Sequence, residues 1–450
     1  MVGRLMTALR QVQGELAHLL DAPTILPLCR ALGYTWRQRV LDPVTTIHLS
    51  ILQTLHGNTA CSHLPHLAGQ QFTASAFCQA RSRLPLRVWQ HVLRGVCATL
   101  DQVTQEEGRW YGHRTFLVDG SGFSMPDTPE LHAHFGSPPG QQPGCGFPVG
   151  HLLALFHAGT GFLLEVVATP GHTHDMAHVR QVHTTLQPGD VLVADRGFCS
   201  FAHLALLRYQ HLHAVVRVHQ KQLVDFTPSR PHKVATPVRA RKGVPRSRWL
   251  CHLGGLDQVV AWVKPVQCPP WMTADQFAAL PQELRVRELR YPIVQPGFRT
   301  RTVTLVTTLL AADQYPVEAL AALYRHRWQG ETNLRHLKQT MGCEVLHCRH
   351  LAGIMKELTV FALVYNLVRL VMLKAATQQG VALDRISFVD ALRWLGASQR
   401  RPPMPRLVVN PSRPGRVEPR AVKRRPKAYV RLTTPRSAAR NALRQQSMRA

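Results

Sequence analysis

Two short apolar runs, each closed by an aspartate, limit what this chain can become more than any other feature. Phe116-Leu117-Val118 leads into Asp119, and Val191-Leu192-Val193-Ala194 leads into Asp195. Runs of this length between turn residues read as buried strands. Thr115 to Val118 gives the first strand, and Asp119-Gly120-Ser121-Gly122 reads as a sharp turn. Residues 136–150 are rich in Gly and Pro and read as a loop. His151 to His157 and Phe162 to Ala168, joined by Gly159-Thr160-Gly161, read as a hairpin. A helix from Asp175 to Leu186 leads to the strand Val191 to Ala194, and a helix from Phe201 to Tyr209 leads to the strand Leu212 to Val218. Three strands followed by alternating helices and strands make an α/β mixed sheet flanked by helices. Acids stand at the tips of its first and fourth strands.

A third acid lies far downstream. Tyr324, Arg327, Glu331 and Lys338 are spaced by three, four and seven. At roughly 100° per residue, a helix gathers them on one stripe about 60° wide. A lone carboxylate between two cations and a phenol suits a metal-binding acid beside a phosphate backbone. Pro316 marks the start of this helix and Gly342 its end. Leu323, Leu334, Leu337 and Met341 form an apolar face that would lie on the sheet and carry Glu331 to its edge.

The rest of the chain divides around these elements. Residues 1–110 form an all-helical N-terminal domain, broken near Pro43, Gly57 and Gly69. Within it, Thr73 or Ser75 caps a helix whose exposed face carries Arg81 and Arg83, which fits a DNA-binding domain and equally a helical subdomain that only packs. Residues 111–219 are the first part of a catalytic core. Residues 220–300, rich in Arg and Pro, read as an inserted, mostly β segment. Residues 301–398 resume the core at Thr302–Leu310 and end in helices at Leu351–Thr377 and Phe388–Leu395. Residues 399–450 form a basic, extended tail.

Charge points to the partner. Fifty-four Lys and Arg against 26 Asp and Glu leave +28. Residues 399–450 hold 15 Lys and Arg and one acid, Glu418, a net +14. Such an excess opposes compaction until a polyanion neutralises it; nucleic acid is the favoured polyanion, with a membrane surface as the weaker alternative. The ten cysteines show no paired spacing. No leader-like apolar core opens the chain, so reduced thiols and a cytoplasmic location are expected. The run Leu358–Met372 includes Tyr365, Asn366 and Arg369, which favours a buried helix over a membrane span.

Three hard carboxylates suit Mg²⁺ or Mn²⁺. Two such ions about 3.5–4 Å apart can activate an attacking oxygen and stabilise a leaving one in phosphodiester chemistry. On this reading Asp119 bridges both ions, and Asp195 and Glu331 each hold one. Arg327 and Lys338 grip flanking phosphates, and Tyr324 donates a hydrogen bond to another.

The chain resembles bacterial insertion-sequence transposases of family four, DDE enzymes with a Y-xx-R-xxx-E-xxxxxx-K signature. Tyr324, Arg327, Glu331 and Lys338 match that spacing. Leu117-Val118-Asp119-Gly120-Ser121 and Val193-Ala194-Asp195-Arg196-Gly197-Phe198 look like the surroundings of the first and second acids. The segment from Glu418 to Tyr429 is also similar to tails in this family. The resemblance implies an RNase H-like core with a β insertion and cut-and-paste movement by cleavage and strand transfer. It further implies double-stranded DNA partners (terminal inverted repeats and target), a homodimer in the synaptic complex, and nucleoid association in a bacterium. Some relatives stack a flipped base on an insertion aromatic, for which Trp249, Trp262 and Trp271 are candidates; Trp328 is expected to pack.

Two other clusters are weaker. His172, His174 and His178 lie near Asp175, and Cys343 and Cys348 near His347 and His350; neither matches a common zinc spacing. The competing functions are an RNase H-like nuclease that cuts structured DNA without joining it, and a catalytically dead, transposase-derived DNA-binding protein.

Overall fold

The computed structural model describes residues 6, 9–10, 14–105, 108–137, 145–171, 173, 175–230, 245–293, 302–397, 406–411 and 434–448. The N-terminal helices are α1 (Gly14–Leu19), α2 (Ala22–Ala31), α3 (Pro43–Leu55), α4 (Leu64–Ala68), α5 (Ala74–Arg83) and α6 (Leu86–Thr104). Local chemistry explains their ends. Pro43 opens α3 rather than breaking it, while Asp42 accepts a 2.7 Å hydrogen bond from the Thr45 N–H. Gly69 closes α4 with φ 64°, a left-handed conformation that favours glycine. Of the two candidate caps for α5, Thr73 accepts from the Ala76 N–H at 3.1 Å.

The strands β1 (Thr115–Ser124), β2 (Val149–His157), β3 (Leu163–Pro170), β4 (Val191–Ala194), β5 (His213–Arg217), β6 (Arg246–Gly254), β7 (Asp257–Val263), β8 (Glu283–Pro292) and β9 (Thr302–Thr307) form one nine-stranded sheet. Its order is β3-β2-β1-β4-β5-β9-β8-β7-β6. β4 and β5 run parallel to β1, and β2 runs antiparallel between β1 and β3. The β segment after β5 is therefore no separate body. Through β9, antiparallel to both β5 and β8, it extends the same sheet.

The expected turn at Asp119 does not form. β1 runs on to Ser124, paired with β2 from Phe116↔His157 to Ser124↔Val149. A long antiparallel partner satisfies the backbone groups that a turn would otherwise have paired internally. Gly150 leaves room for the Phe123 ring of the paired strand, with which a β-carbon there would collide.

Between the strands lie α7 (Pro129–Phe135), α8 (Val179–His183), α9 (Phe201–Tyr209) and α10 (Ala274–Ala278). The helix expected from Asp175 to Leu186 is shorter, a 3₁₀ turn at Asp175–Ala177 followed by α8. After β9 come α11 (Val317–Arg325), α12 (Arg327–Arg335), α13 (Leu351–Gln379), α14 (Phe388–Ala397) and α15 (Arg436–Ser447). Within the expected basic tail, α15 is helical rather than extended. Most of the remaining tail, including Glu418 to Tyr429, lies outside the described residues.

α13 is the centre of the helical layer. It packs on α6, α3, α14 and β3. It is the described helix long and apolar enough to cross a membrane, and 89% of its most apolar stretch is buried inside the protein. Its polar residues tie the parts together. Asn366 accepts from the Leu163 N–H at 2.8 Å. Glu357 accepts from Asn58 and from the His347 and Cys348 amides. A single hydrophobic core runs from Met6 through the sheet to Leu407. A smaller one, around Leu49, Leu64 and Phe77, holds α3, α4 and α5 together.

The start of the central parallel pair is fixed by charge. Buried Arg114 donates to both carboxylate oxygens of Asp190, at 2.9 and 2.6 Å, and to Asp101 of α6 at 2.7 Å. A buried bidentate pair with its donors filled is costly to misalign. It helps hold β1 and β4 in the register that ends Val118↔Ala194.

Candidate active site

That register puts Asp119 and Asp195 side by side, since each follows the last residue of the Val118↔Ala194 pair. Neighbouring parallel strands lie about 4.8 Å apart, so two adjacent carboxylates meet there without any help from loops. The third acid arrives on α12, which packs on β1. Gly330 faces Leu117, where an added β-carbon would sit 3.6 Å from the leucine. That is ordinary van der Waals contact, so α12 lies against β1 at normal packing distance at this residue, and the next residue is Glu331.

Asp119, Asp195 and Glu331 line one open cleft of about 370 Å³, together with Gly120, Ser121, Arg327, Leu334, Arg335, Lys338 and Gln339. Burial pushes the Asp119 carboxyl up to about 6, and the charges of Glu331 and Asp195 push in the same direction; the Gly120 N–H and Arg327 oppose them. The Gly120 N–H donates to Asp119 Oδ1 at 2.9 Å. Glu331 accepts from Arg327 at 2.8 Å.

The helix carrying Tyr324, Arg327, Glu331 and Lys338 is not the continuous rod that the spacing suggests. It breaks at His326 between α11 and α12, and it widens into a π-helical turn at His336–Thr340. His336 is stacked on Phe388 of α14 at 4.2 Å between ring centroids, a long-range contact that accompanies the wider turn. Tyr324 does not join the other three in the cleft. It is 7% exposed, does not line the cleft, and lies under the Arg327 guanidinium, 5.9 Å from its ring centre. Burial raises its phenol to about 12. Leu323, Leu334, Leu337 and Met341 are all buried, as an apolar face requires.

The cleft also holds a cation that sequence reading did not select. Arg335 stands one turn after Glu331, the i,i+4 spacing at which opposite charges face each other on a helix. Trp328, expected to pack, is 55% exposed, with Arg327 over its ring at 5.2 Å. Among the candidate insertion aromatics, Trp262 is buried and its indole donates to Glu288 at 2.9 Å, while Trp249 and Trp271 are half-buried.

Among the described residues, no three His, Cys, Asp or Glu side chains stand ready to hold a metal ion as they are. The donor set of the cleft nevertheless fits a hard divalent cation. Its three groups are carboxylates, and their mutual repulsion at Asp119 is the kind a cation relieves. Arg327 engages only Oε1 of Glu331, so the second carboxylate oxygen is the one available to an ion. His172 and His174 lie outside the described residues. Cys343 is buried, and His350 pairs instead with Glu130 at 3.0 Å.

A family model described as the transposase DDE domain matches residues 110–367, more than half of the chain. The chain belongs to this family. It is 35% identical over 144 residues to the transposase InsG for insertion sequence element IS4 of Escherichia coli (strain K12), a match covering 28% of this chain and 33% of that one. It is 27% identical over 135 residues to the putative transposase InsZ of the same organism, covering 30% and 45%. The chain thus spans less than half the length of these curated relatives. Among solved structures, the piggyBac transposase synaptic complex with hairpin DNA aligns with TM-score 0.46 and 11% identity, over 88% of this chain and 79% of that one. The DDE family match contains the whole cleft, from Asp119 to Gln339.

Proposed function

We propose that this DDE-family chain is a cut-and-paste DNA transposase in which Asp119, Asp195 and Glu331 are the catalytic, metal-holding carboxylates. The carrying observation is that these three acids, 76 and 136 residues apart in sequence, line one cleft with three cations. The strand order β3-β2-β1-β4-β5, with β2 alone reversed against its neighbours, supports reading this half of the sheet as an RNase H-like core.

Two Mg²⁺ or Mn²⁺ ions, when bound, supply an activated oxygen nucleophile and a stabilised leaving oxygen at phosphorus. The chain's own residues do the rest. Asp119 and Asp195, fixed on neighbouring strands, offer ligand oxygens in a preset orientation. Glu331, half-exposed on α12, completes the set. Arg327, Arg335 and Lys338 hold phosphates on either side of the scissile bond, fixing register without reading sequence. Tyr324 acts from beneath, by supporting the Arg327 guanidinium. The substrates would be terminal inverted repeats and target DNA, with two copies of the chain in the synaptic complex.

The test supplies a pre-cleaved transposon end, a target plasmid and Mg²⁺. Strand-transfer products are expected, and Asp119→Asn or Asp195→Asn should abolish both nicking and transfer while DNA binding persists. Nicking without transfer supports the nuclease alternative, and binding without any cleavage the DNA-binding one.

A further inference from the structure

Three cysteines from distant parts of the chain gather around Arg81, away from the acid cleft. Cys61 opens a 3₁₀ turn, Cys61–His63; Cys78 lies on α5; and Cys348 stands three residues before α13. The Cys78 and Cys61 sulfurs are in contact at 3.6 Å, and both are free thiols. Cys78 is exposed and Cys61 half-buried. Gln53 approaches the Cys61 sulfur at 3.6 Å and accepts from Arg81 at 3.1 Å. Burial pushes the Cys61 thiol up and the Arg81 charge opposes that rise. Burial holds the Cys348 thiol far higher, at about 12.

We propose that Cys61 and Cys78 form a peroxide-oxidisable pair that closes into a reversible disulfide, with Cys78 oxidised first. The exposed Cys78 thiolate attacks one peroxide oxygen, the O–O bond breaks, and hydroxide leaves, giving a sulfenic acid. The Cys61 sulfur then attacks the Cys78 sulfur, the S–O bond breaks, and the oxygen leaves as water. Two thiols lose two hydrogens in all, and one hydrogen peroxide becomes two waters. The sulfurs must close from 3.6 Å to a bond length of about 2.05 Å, a movement within reach of side-chain rotation. The bond would fasten α5 to the turn that precedes α4. Cys348, whose thiol stays protonated, remains unbonded.

The full-length protein is treated with hydrogen peroxide, alkylated under denaturing conditions and digested with trypsin. Residues 40–81 contain no Lys or Arg before Arg81, so both thiols lie in one peptide. That peptide should be lighter by two hydrogens and refuse alkylation, and dithiothreitol should reverse both changes. Free thiols should fall from the ten in the chain to eight. In Cys61→Ser, Cys78 should instead proceed to sulfinic acid. A crosslink from Cys61 to Cys348, an unaltered peptide, or the same Cys78 product in wild type and Cys61→Ser would each overturn the proposal.

Discussion

Arg327 donates a 2.8 Å hydrogen bond to Glu331 one helical turn further on. The guanidinium is nearly buried, with 10% of its side chain exposed, whereas 42% of the Glu331 side chain is open to solvent. Such a pair contributes little to folding, about 0.5 kcal/mol or less. On the proposed reading the pair has another use, because Arg327 in the same cleft stands where a phosphate would sit. Arg327→Ala should therefore lower metal-dependent nicking by on the order of 10²-fold, and it should also lower the melting temperature, because it truncates a nearly buried side chain packed over Tyr324 and Trp328. Nicking at the wild-type rate would show that no phosphate is held there.

A second expectation concerns acid stability. His203 Nδ1 lies 2.7 Å from the Phe198 carbonyl, so it carries the proton and leaves Nε2 as an acceptor. His183 Nε2, 3.1 Å away, must then donate to it. Both rings are buried and neutral; burial lowers His183 to about 3 and His203 to about 4. These folded values lie below the ordinary histidine value of 6.5. The unfolded chain therefore takes up protons first, and stability is lost as pH falls from about 6.5 towards 4. For His203 alone the loss approaches about 3 kcal/mol. His203→Asn should flatten the fall of the urea midpoint between pH 6.5 and 4. An equally steep fall in the variant would remove this pair as its source.

Much of this fold is written in short-range signals, and three of the departures go with long-range pairing. The runs before Asp119 and Asp195, the hairpin about Gly159-Thr160-Gly161 and helix α9 could be read because burial period and capping residues are local. β1 reads as ending at Asp119 because Gly-Ser-Gly usually turns a chain. It continues because β2, thirty residues later, supplies a full ladder. The helix over 316–342 reads as one rod because no proline falls between Pro316 and Gly342. Its π turn accompanies the stacking of His336 on Phe388, which no window around His336 contains. The joining of β6–β8 to the main sheet also depends on pairing across sequence gaps. In the cleft, residue types and spacing suggested Asp119, Asp195, Glu331, Arg327 and Lys338. Arg335 carries the same i,i+4 signal, and Tyr324 lies beneath Arg327, outside the cleft lining.

The attachment of the helical region gives a third prediction. Lys356 of α13 is 4% exposed and donates to the Arg81 and Ser82 carbonyls at 3.1 and 2.7 Å. These carbonyls belong to the last turn of α5, where unsatisfied acceptors and the helix dipole both favour a cation. Lys356→Met keeps the aliphatic stem but strands the carbonyls, at a cost of about 1.5–3 kcal/mol. Trypsin should then cut after Arg81 and Arg83 faster in the variant than in the wild type. Equal rates would mean that α5 is held by its apolar contacts alone.

The last prediction separates holding DNA from cutting it. Lys338 lies in the π turn, half-buried, and lines the cleft seven residues beyond Glu331. A wider turn advances fewer degrees per residue, so the ammonium is offset from the line of Glu331 instead of stacked above it. That offset suits a phosphate next to the scissile one. A lysine on phosphate adds a counterion-release contribution, so log affinity falls with log salt by about 0.9 per contact. Lys338→Ala should weaken binding to transposon ends and to unrelated duplex alike, and should lower the salt slope by about one. Cleavage of DNA supplied at saturating concentration should survive, because Asp119, Asp195 and Glu331 are untouched. A salt slope identical to wild type would take Lys338 off the backbone. Loss of cleavage at saturating DNA would instead assign it to the reacting phosphate itself.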